Sequence, residues 1–197
     1  MGLELEYING QTPLDEDEKE GLKVKTISTI AELNEFEQQN IEKAEIGIYG
    51  KVFSSDEILN EAFIKSMHKK MLGDVWAWAG QFRTTNKNIG VDKTQIQLEL
   101  RKLIDDCKYW IENDTFLADE LAIRFKHRLV SIHLFPNGNG RHSRILGNLL
   151  AKSLGEEEFS WGGANLASTG NSRANYISAL KKADSNEIEP LIKFARS

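Results

Sequence analysis

Apolar residues recur every three or four positions along most of this chain, which is the spacing of an amphipathic α-helix. The first such segment follows Thr29-x-x-Glu32, a capping-box pattern typical of a helix start, and it runs to about residue 48. A second capping box, Ser54-x-x-Glu57, precedes a segment that ends at a glycine. We therefore predict one helix after each box.

The same spacing continues through the rest of the chain. It predicts further helices over 94–113, 116–133, 140–154, 172–184 and 187–196. Residues 76–94, here called the flap, break the pattern with an alternating β-prone stretch between Gly80 and Gly90, and we expect a short β-hairpin there. Six or seven helices with one β-hairpin and no βαβ alternation indicate an all-α fold.

Composition is that of an ordinary soluble globular protein, with 40% hydrophobic and 28% charged residues among 197. No apolar run is long enough to cross a membrane, and the first ten residues lack the features of a secretory signal, so we expect a cytoplasmic protein with no membrane partner. The single cysteine, Cys107, has no partner for an internal disulfide, and we interpret it as a half-buried helical residue.

Charge divides the chain unevenly. The net charge of −5 argues against a general nucleic-acid binder, whose surface would be basic. Residues 1–62 carry a net −10, whereas 63–197 carry a net +5. Residues 1–27, here called the arm, include the turn-prone DEDEKEG and must be tied to the rest of the protein or stay mobile. The acidic part is either a solvated arm and helix face or a neighbour of a basic anion site.

Residues 133–144, HLFPNGNGRHSR, combine features of an anion site. The glycines at 138 and 140 lie immediately before a predicted helix, whose free N–H groups and partial positive charge favour an anion. Asn139 carries an amide that can donate to a phosphate oxygen. The segment therefore predicts a cradle for phosphate.

Arg141 and Arg144 lie three residues apart near the start of that helix, so their guanidinium groups can bind more than one phosphate of a polyphosphate chain. His133 ends the preceding helix, and its imidazole could take a proton from an attacking hydroxyl. Taken separately, a basic first turn is commonly a solvated face, and a histidine at a helix end is commonly a packed residue. The combination favours the functional interpretation.

These residues resemble the signature H-x-F-x-(D/E)-G-N-G-R-x-x-R of Fic-domain proteins. Seven of its eight defined positions agree, at His133, Phe135, Gly138, Asn139, Gly140, Arg141 and Arg144. The flap and the two last helices are also similar to the family, so the resemblance covers roughly 55–196. It implies a Fic-like catalytic domain at 55–197 with an N-terminal arm and helix, 1–54, packed on it. The stretch LEYINGQTPLDEDEKEGL with HLFPNGNGRHSR is similar to the subgroup called mobile mystery protein B.

The resemblance implies transfer of AMP from ATP to a Ser, Thr or Tyr hydroxyl of a target protein. His133 would be the general base, the 138–140 loop would hold the α- and β-phosphates, and Arg141 and Arg144 would bind the β- and γ-phosphates. The target protein would lie along the flap. Further nucleotide contacts implied by the family pattern are Asn137, His142, Ser143, Lys87, Asn88, Ile89, Gly90, Tyr176, Ile177 and Asp184.

The sequence departs from the family pattern in two respects. Asn137 stands where the family has the Asp or Glu that holds Mg²⁺, and an amide carbonyl offers an oxygen without the charge, so we expect a weakened magnesium site. The inhibitory pattern S/T-x-x-x-E-G/N is approached only by Ser28-x-x-x-Glu32, whose glutamate already belongs to a capping box. Regulation would then come from a separate partner, which for the suspected subgroup resembles a small helix-turn-helix protein.

Two other functions stay open at this stage. The chain could be a Fic-like module that binds nucleotide or a partner with little turnover, because Asn137 weakens metal use. It could also be a helix-turn-helix DNA-binding protein with 140–154 as its recognition helix, although the acidic net charge and the glycine loop oppose this.

Overall fold

The computed structural model describes residues 13–163, 166 and 171–197, so residues 5–12 of the stretch that resembles mobile mystery protein B lie outside the described residues. The prediction of an all-α fold is confirmed. The helices of the described part are α1 (Glu16–Glu20), α2 (Ile30–Ile48), α3 (Ser55–Ile58), α4 (Glu61–Leu72), α5 (Ile96–Glu112), α6 (Ala118–Ile132), α7 (Asn139–Ser153), α8 (Asn171–Asp184) and α9 (Glu189–Arg196). In these residues we find no helix with the length and apolar character that a membrane span requires.

Helices α6 and α7 form the centre of the fold and pack against each other more extensively than any other pair. Phe125 and Leu129 of α6 and Leu146 and Leu150 of α7 are fully or almost fully buried between the surrounding helices. Helix α2 packs on α4, and α8 packs on α9. The loop that joins α6 to α7 contains the motif, so the most buried helix pair positions it.

Both predicted capping boxes are present. Thr29 accepts a hydrogen bond from the N–H of Glu32, whose carboxylate accepts one back from the N–H of Thr29. Ser54 and Glu57 make the same exchange. Glu32 is thus confirmed as a capping residue.

The single helix predicted after Ser54 is wrong, because the chain breaks after α3. Asn60 has an extended backbone, and its side chain accepts from the N–H of Ala62, so it caps a second helix, α4. Two other starts also differ. Asp92 caps a short 3-10 turn before α5, and α6 begins at Ala118 after Leu117, which is 82% exposed instead of lying on the buried face.

The flap contains no β-hairpin in the part of the chain that the structure describes, which corrects the prediction. The side chain of Arg83 takes the place of a strand ladder. Its guanidinium donates to the carbonyl oxygens of Thr85 (2.7 Å) and Val91 within the flap and to that of His133 (2.6 Å) outside it. One buried cation therefore joins the two halves of the flap and fastens them to the end of α6.

The arm is tied down along its described part, 13–27. Leu14, Leu22 and Ile27 are buried in the core. Leu22 forms an isolated antiparallel bridge with Trp76, beside which the N–H of Lys23 donates to the carbonyl of Val75 at 2.8 Å. The arm thus lies against the first part of the flap.

Candidate active site in the α6–α7 loop

Two residues with left-handed backbone conformation set the course of the α6–α7 loop. His133 ends α6 with φ 58°, and Gly138 precedes α7 with φ 78°. A β-carbon at position 138 would lie 2.5 Å from Cδ1 of Leu72, so both the backbone angle and the packing require glycine there. At Gly140, by contrast, a β-carbon would meet nothing within 4 Å, so open space lies beside the start of α7.

Asn139 holds the loop together. Its side-chain oxygen accepts from the N–H of Phe135 at 2.9 Å, and its amide nitrogen donates to the carbonyl of Phe135 at 2.7 Å. Both ends of this buried amide are therefore bonded inside the protein, and its contact with a phosphate oxygen stays a prediction. The N–H groups at the start of α7 remain the donors that the loop can offer, because the N-cap residue, Gly138, has no side chain that could cap them.

Phe135 anchors the loop in the core. Its ring is fully buried and stacks on the imidazole of His68, with ring centroids 3.7 Å apart. Nε2 of His68 lies 3.0 Å from the carbonyl oxygen of Asn137, and Nδ1 accepts from the N–H of Gly80. His68 is thus a buried residue that connects α4, the flap and the loop.

His133 is buried, with 5% of its surface exposed, and neither of its ring nitrogens has a hydrogen-bond partner among the residues that the structure describes. Burial, together with the positive charges of Arg83 and Lys87, lowers the pKa of His133 to about 4. The imidazole is therefore neutral near pH 7 and can accept a proton. Buried polar atoms without partners are costly, and such atoms in a loop of this composition indicate a place where a ligand group belongs.

The flap lies over His133. A β-carbon at Gly90 would come within 2.6 Å of the β-carbon of His133, and the backbone N–H of Val91 donates to the carbonyl of Ile132 at 3.3 Å. The N–H of Arg83 donates to the carbonyl of Leu134 at 2.9 Å. Access to the imidazole therefore depends on the position of the flap.

A cavity of about 630 Å³ lies beside the first turns of α7. Both predicted arginines, Arg141 and Arg144, line it, whereas His133 does not. The remaining lining comes from α2, from α7 and from the segment after α7: Asn34, Glu35, Gln38, Ile41, Glu42, Glu45, Ile145, Asn148, Ser160, Trp161 and Leu166. The cavity thus offers two guanidinium groups with an acidic helix opposite.

Glu37 of α2 occupies one of these arginines. Its carboxylate, 1% exposed, accepts from Arg141 at 2.6 Å and from the indole N–H of Trp76 at 2.6 Å. The acidic N-terminal part was expected to be either a solvated face or a neighbour of a basic anion site. Glu37 lies beside Arg141, as in the second possibility. Sequence analysis missed this residue, although it lies four positions from both Leu33 and Ile41 on the apolar face of α2, where a charged side chain signals a buried partner.

Arg144 lies over the ring of Tyr176, with its guanidinium carbon 5.6 Å from the ring centroid. The Tyr176 hydroxyl accepts from the fully buried ammonium of Lys126 at 2.6 Å. Burial lowers the pKa of Lys126, and although burial alone would raise the pKa of Tyr176, the charges of Lys126 and Arg144 lower it. Lys126 was not predicted as a site residue, because no sequence pattern distinguishes it from the other charged residues of α6.

Glu45 lies at the edge of the same cavity. Burial and the negative charges of Glu42 and Glu158 raise its pKa, whereas the charge of Arg144 acts in the opposite direction. The carboxylate side of the cavity is therefore crowded with like charges.

Asn137 does not provide a metal site by itself. Its side-chain oxygen accepts from the N–H of Gly138 at 2.6 Å, and the described residues contain no group of three His, Cys, Asp or Glu side chains arranged to hold a metal ion. The residues present therefore do not fit a protein-bound Mg²⁺, which prefers carboxylate oxygens.

Several residues implied by the resemblance lie away from the cavity. Nε2 of His142 lies 2.9 Å from the carbonyl oxygen of Ile64, and the hydroxyl of Ser143 donates to the carbonyl of Gly140. Both side chains are buried. Because α7 turns them toward α4 and its own backbone, neither side chain lines the cavity. Their contact with a nucleotide stays a prediction.

The other implied contacts are spread over the surface and the flap. Asp184 is exposed and bonds to Nε2 of His127 at 2.9 Å, and Ile177 is half-buried on α8. Asn88 and Ile89 are exposed at the tip of the flap. Lys87, with a side chain only 3% exposed, binds the arm. Among these residues, Gly90 is the one that contacts His133.

Comparison with known proteins agrees with this geometry. Residues 58–151 match the family model described as Fic/DOC family. A curated relative, protein adenylyltransferase fic-1 of Caenorhabditis elegans, is 27% identical over 139 residues, which are 66% of this chain and 25% of that protein. The chain thus spans about a quarter of the length of the curated relatives it matches.

Solved structures show the same fold. BepC, a VirB-translocated effector of Bartonella tribocorum with bound AMPPNP, superposes with a TM-score of 0.71 at 17% identity and covers 96% of this chain and 93% of its own. The N-terminal Fic domain of a Bep effector of Bartonella quintana with bound ADP gives a TM-score of 0.64 at 18% identity, with 86% of each chain covered. The matched segment, from the end of α3 to α7, includes the whole motif loop. Residues 58–151 of this chain therefore match the Fic/DOC family model, and the chain shares the fold of these Fic structures.

Proposed function

We propose that this protein is a nucleotidyltransferase that moves AMP from ATP to a Ser, Thr or Tyr hydroxyl of a target protein. The observation that carries the proposal is His133, whose buried, neutral imidazole has two ring nitrogens without a partner at one end of a loop whose other end presents Arg141 and Arg144. A base and a polyphosphate site on one short segment suit attack of a hydroxyl on phosphorus.

In the proposed step, His133 takes the proton of the acceptor hydroxyl while its oxygen forms a bond to the α-phosphorus of ATP. The bond from that phosphorus to the bridging oxygen of the β-phosphate breaks, and pyrophosphate leaves with the electron pair. The two guanidinium groups and the N–H groups at the start of α7 neutralise charge on the phosphates.

Names of the relatives support this chemistry. The matched C. elegans protein is called a protein adenylyltransferase, and the two Bartonella structures hold AMPPNP and ADP. For this chain, ATP as donor and a protein as acceptor are proposals. We also propose the mobile mystery protein B subgroup and a small helix-turn-helix regulatory partner, which the motif loop and the arm sequence support.

Asn137 brings no carboxylate to the position of the family's magnesium ligand, and its side-chain oxygen accepts from the N–H of Gly138. The transfer proposed here therefore depends on the arginines for charge neutralisation. Any Mg²⁺ would enter with the nucleotide.

The test is incubation of the purified protein with each labelled nucleoside triphosphate and with candidate acceptor proteins. We expect a mass increase of one AMP on the chain itself or on an acceptor, and its loss in His133→Ala. His127→Ala is the matched control, because His127 lies on the same helix and is bonded to Asp184, away from the loop. Equal labelling by His133→Ala and wild type would remove His133 from the role of base.

A second function, nucleotide binding with little turnover, is favoured by Asn137 and by the Glu37–Arg141 pair. Calorimetric ATP binding without transfer, together with transfer gained in Asn137→Asp, would support it. Unchanged binding and turnover in Asn137→Asp would contradict the metal argument. A DNA-binding role for α7 is disfavoured because most of that helix, including Ile145 and Leu146, is buried.

A further inference from the structure

The arm holds the flap through a buried ion pair. The ammonium of Lys87 donates to a carboxylate oxygen of Glu18, to one of Asp15 at 2.9 Å and to the carbonyl of Pro13 at 3.3 Å. The Lys87 side chain is 3% exposed and that of Glu18 is 9% exposed. A flap lysine that the family resemblance assigned to the ligand thus has all three of these partners on the arm.

Glu18 contacts the flap at two further points. Its other carboxylate oxygen accepts from the hydroxyl of Thr85 at 3.0 Å, and its backbone carbonyl accepts from the indole N–H of Trp78 at 2.9 Å. The same carboxylate also completes the capping box of α1 by accepting from the N–H of Asp15 at 2.8 Å. Glu18 is therefore fixed by its own helix and can in turn fix the flap.

The held segment is the one that lies over His133. Lys87 is close enough for its charge to act on the imidazole, and Gly90, three residues later, packs against the β-carbon of His133. On the other side, Arg83 joins Thr85 and Val91 to the end of α6. The flap is thus anchored to α6 by one residue and to the arm by another.

An acceptor hydroxyl can reach His133 only if the flap leaves room for it, because both ring nitrogens are enclosed in this structure. The position of the flap consequently decides whether the base is accessible and how an acceptor chain is aligned beside it. Arg83 is part of the loop structure itself, whereas the contacts of Lys87 come from outside the matched family domain, 58–151.

We propose that Glu18 is a positioning residue, which acts through Lys87 and Thr85 to hold the flap in place over His133. The arm then contributes to the site by positioning the flap. The expected effect of Glu18 on activity rests on the proposed transfer function. Its expected effect on the accessibility of His133 does not.

The structural effect is tested with diethyl pyrocarbonate, which modifies accessible neutral histidines, followed by peptide mass spectrometry of the full chain at pH 7. In Glu18→Gln the charge on Lys87 loses its stronger partner, and we expect His133 to be modified about tenfold faster, which corresponds to about 1.4 kcal/mol in the opening equilibrium. The matched control is Glu20→Gln, an exposed glutamate of the same helix, which should leave the rate unchanged. An unchanged rate in Glu18→Gln would overturn the proposal.

A double-mutant cycle shows whether Glu18 acts through Lys87. Lys87→Met should also raise the modification rate, and Glu18→Gln should add little in the Lys87→Met background. Fully additive effects would contradict the coupling. If Glu18→Gln does not fold, Asp15→Asn removes the more exposed carboxylate of the pair and should raise the rate in the same direction by a smaller factor.

In the transfer assay, Glu18→Gln should lower kcat and leave the KM for nucleotide unchanged, whereas a loss of fold would lower both activity and thermal stability. A faster modification of His133 with an unchanged kcat would refute the positioning role. If wild-type protein shows no transfer at all, the proposed function fails, while the modification rates still decide the inference about Glu18.

Discussion

Arg141 donates to Glu37 in this structure, although an anion in the cavity would require the same guanidinium. The pair is largely buried, so Glu37 compensates the charge of Arg141 and any phosphate must compete with it. A single residue of α2 therefore contacts the arginine of α7 that we propose for binding phosphate.

We predict that Glu37→Gln increases affinity for ATP by about tenfold, because loss of one charge-assisted contact of Arg141 is worth roughly 1.5 kcal/mol. Isothermal titration calorimetry measures this. Glu35→Gln is the control, since Glu35 lines the same cavity and removes the same charge, but its carboxylate accepts from Gln39. Equal affinities of Glu37→Gln and Glu35→Gln would show that only net charge matters.

The lowered pKa of His133 leads to a prediction about the pH dependence of kcat/KM. Its pKa is lowered to about 4, so the imidazole stays neutral as the pH falls through the ordinary range of histidine near 6.5. A general base acts in its neutral form, so kcat/KM should remain level from pH 8 to about 5 and decline below that. A decline centred near pH 6.5 in the pH profile would contradict a buried His133 as the base.

At the scale of single elements, the α6–α7 loop depends on two glycines in different ways. Gly138 has positive φ and meets Leu72, whereas Gly140 lies in the first turn of α7 beside open space. The first is required by the fold, and the second leaves room for a ligand.

Gly138→Ala should lower the free energy of unfolding by about 2 to 4 kcal/mol through backbone strain and overpacking. Gly140→Ala should change it by less than about 1 kcal/mol, because alanine favours a helix, yet it should weaken ATP binding by placing a methyl group at the anion site. Urea unfolding and calorimetry separate the two effects. Unimpaired ATP binding in Gly140→Ala would place the phosphates elsewhere.

The capping boxes of α2 and α3 could be predicted because each is an exchange between residues three apart. The break before α4 could not, since Leu59 and Asn60 leave the helix where Leu59 enters the core. The flap differs from the expected hairpin for a related reason. The guanidinium of Arg83 satisfies carbonyl groups that strand pairing would otherwise satisfy.

At the scale of the whole molecule, buried imidazoles connect the elements around the candidate site. His68 connects α4 to the flap and the loop, and His142 connects α7 to α4. Burial lowers the pKa of His142 to about 4 and that of His68 well below its usual value. The native state consequently keeps these rings neutral under conditions where the unfolded chain protonates them.

Stability should therefore fall with acidification. A histidine whose pKa is lower in the folded than in the unfolded state binds fewer protons when folded, so the loss begins as the pH falls below about 6.5 and continues toward 4. For His133 and His142 together we expect a loss of about 2 to 3 kcal/mol between pH 7.5 and 5.5, and His68 acts in the same direction. Urea unfolding at the two pH values measures it.

His142→Gln offers an internal check. The glutamine amide can still bond to the carbonyl of Ile64, but it does not titrate, so the loss on acidification should be smaller by roughly 1 kcal/mol. An identical loss in His142→Gln and wild type would exclude this histidine as a source of the effect.

Local interactions explain what could be deduced from the sequence alone. The helical spacing, the caps and the motif from His133 to Arg144 all depend on residues a few positions apart, so the all-α class, the loop and both arginines were foreseeable. Glu37 and His68 left a weaker local signal, a polar residue on an apolar helical face.

Only the tertiary structure decided what those polar residues contact. Glu37 and Arg141 lie 104 positions apart, and Glu18 and Lys87 lie 69 apart. Such pairs form because packing of α2 and the arm on the core brings the charges together, and no periodicity along the chain encodes which partner each will meet. The sequence by itself therefore determined the loop between α6 and α7 and its arginines, and the tertiary structure determined which carboxylates contact Arg141 and the flap.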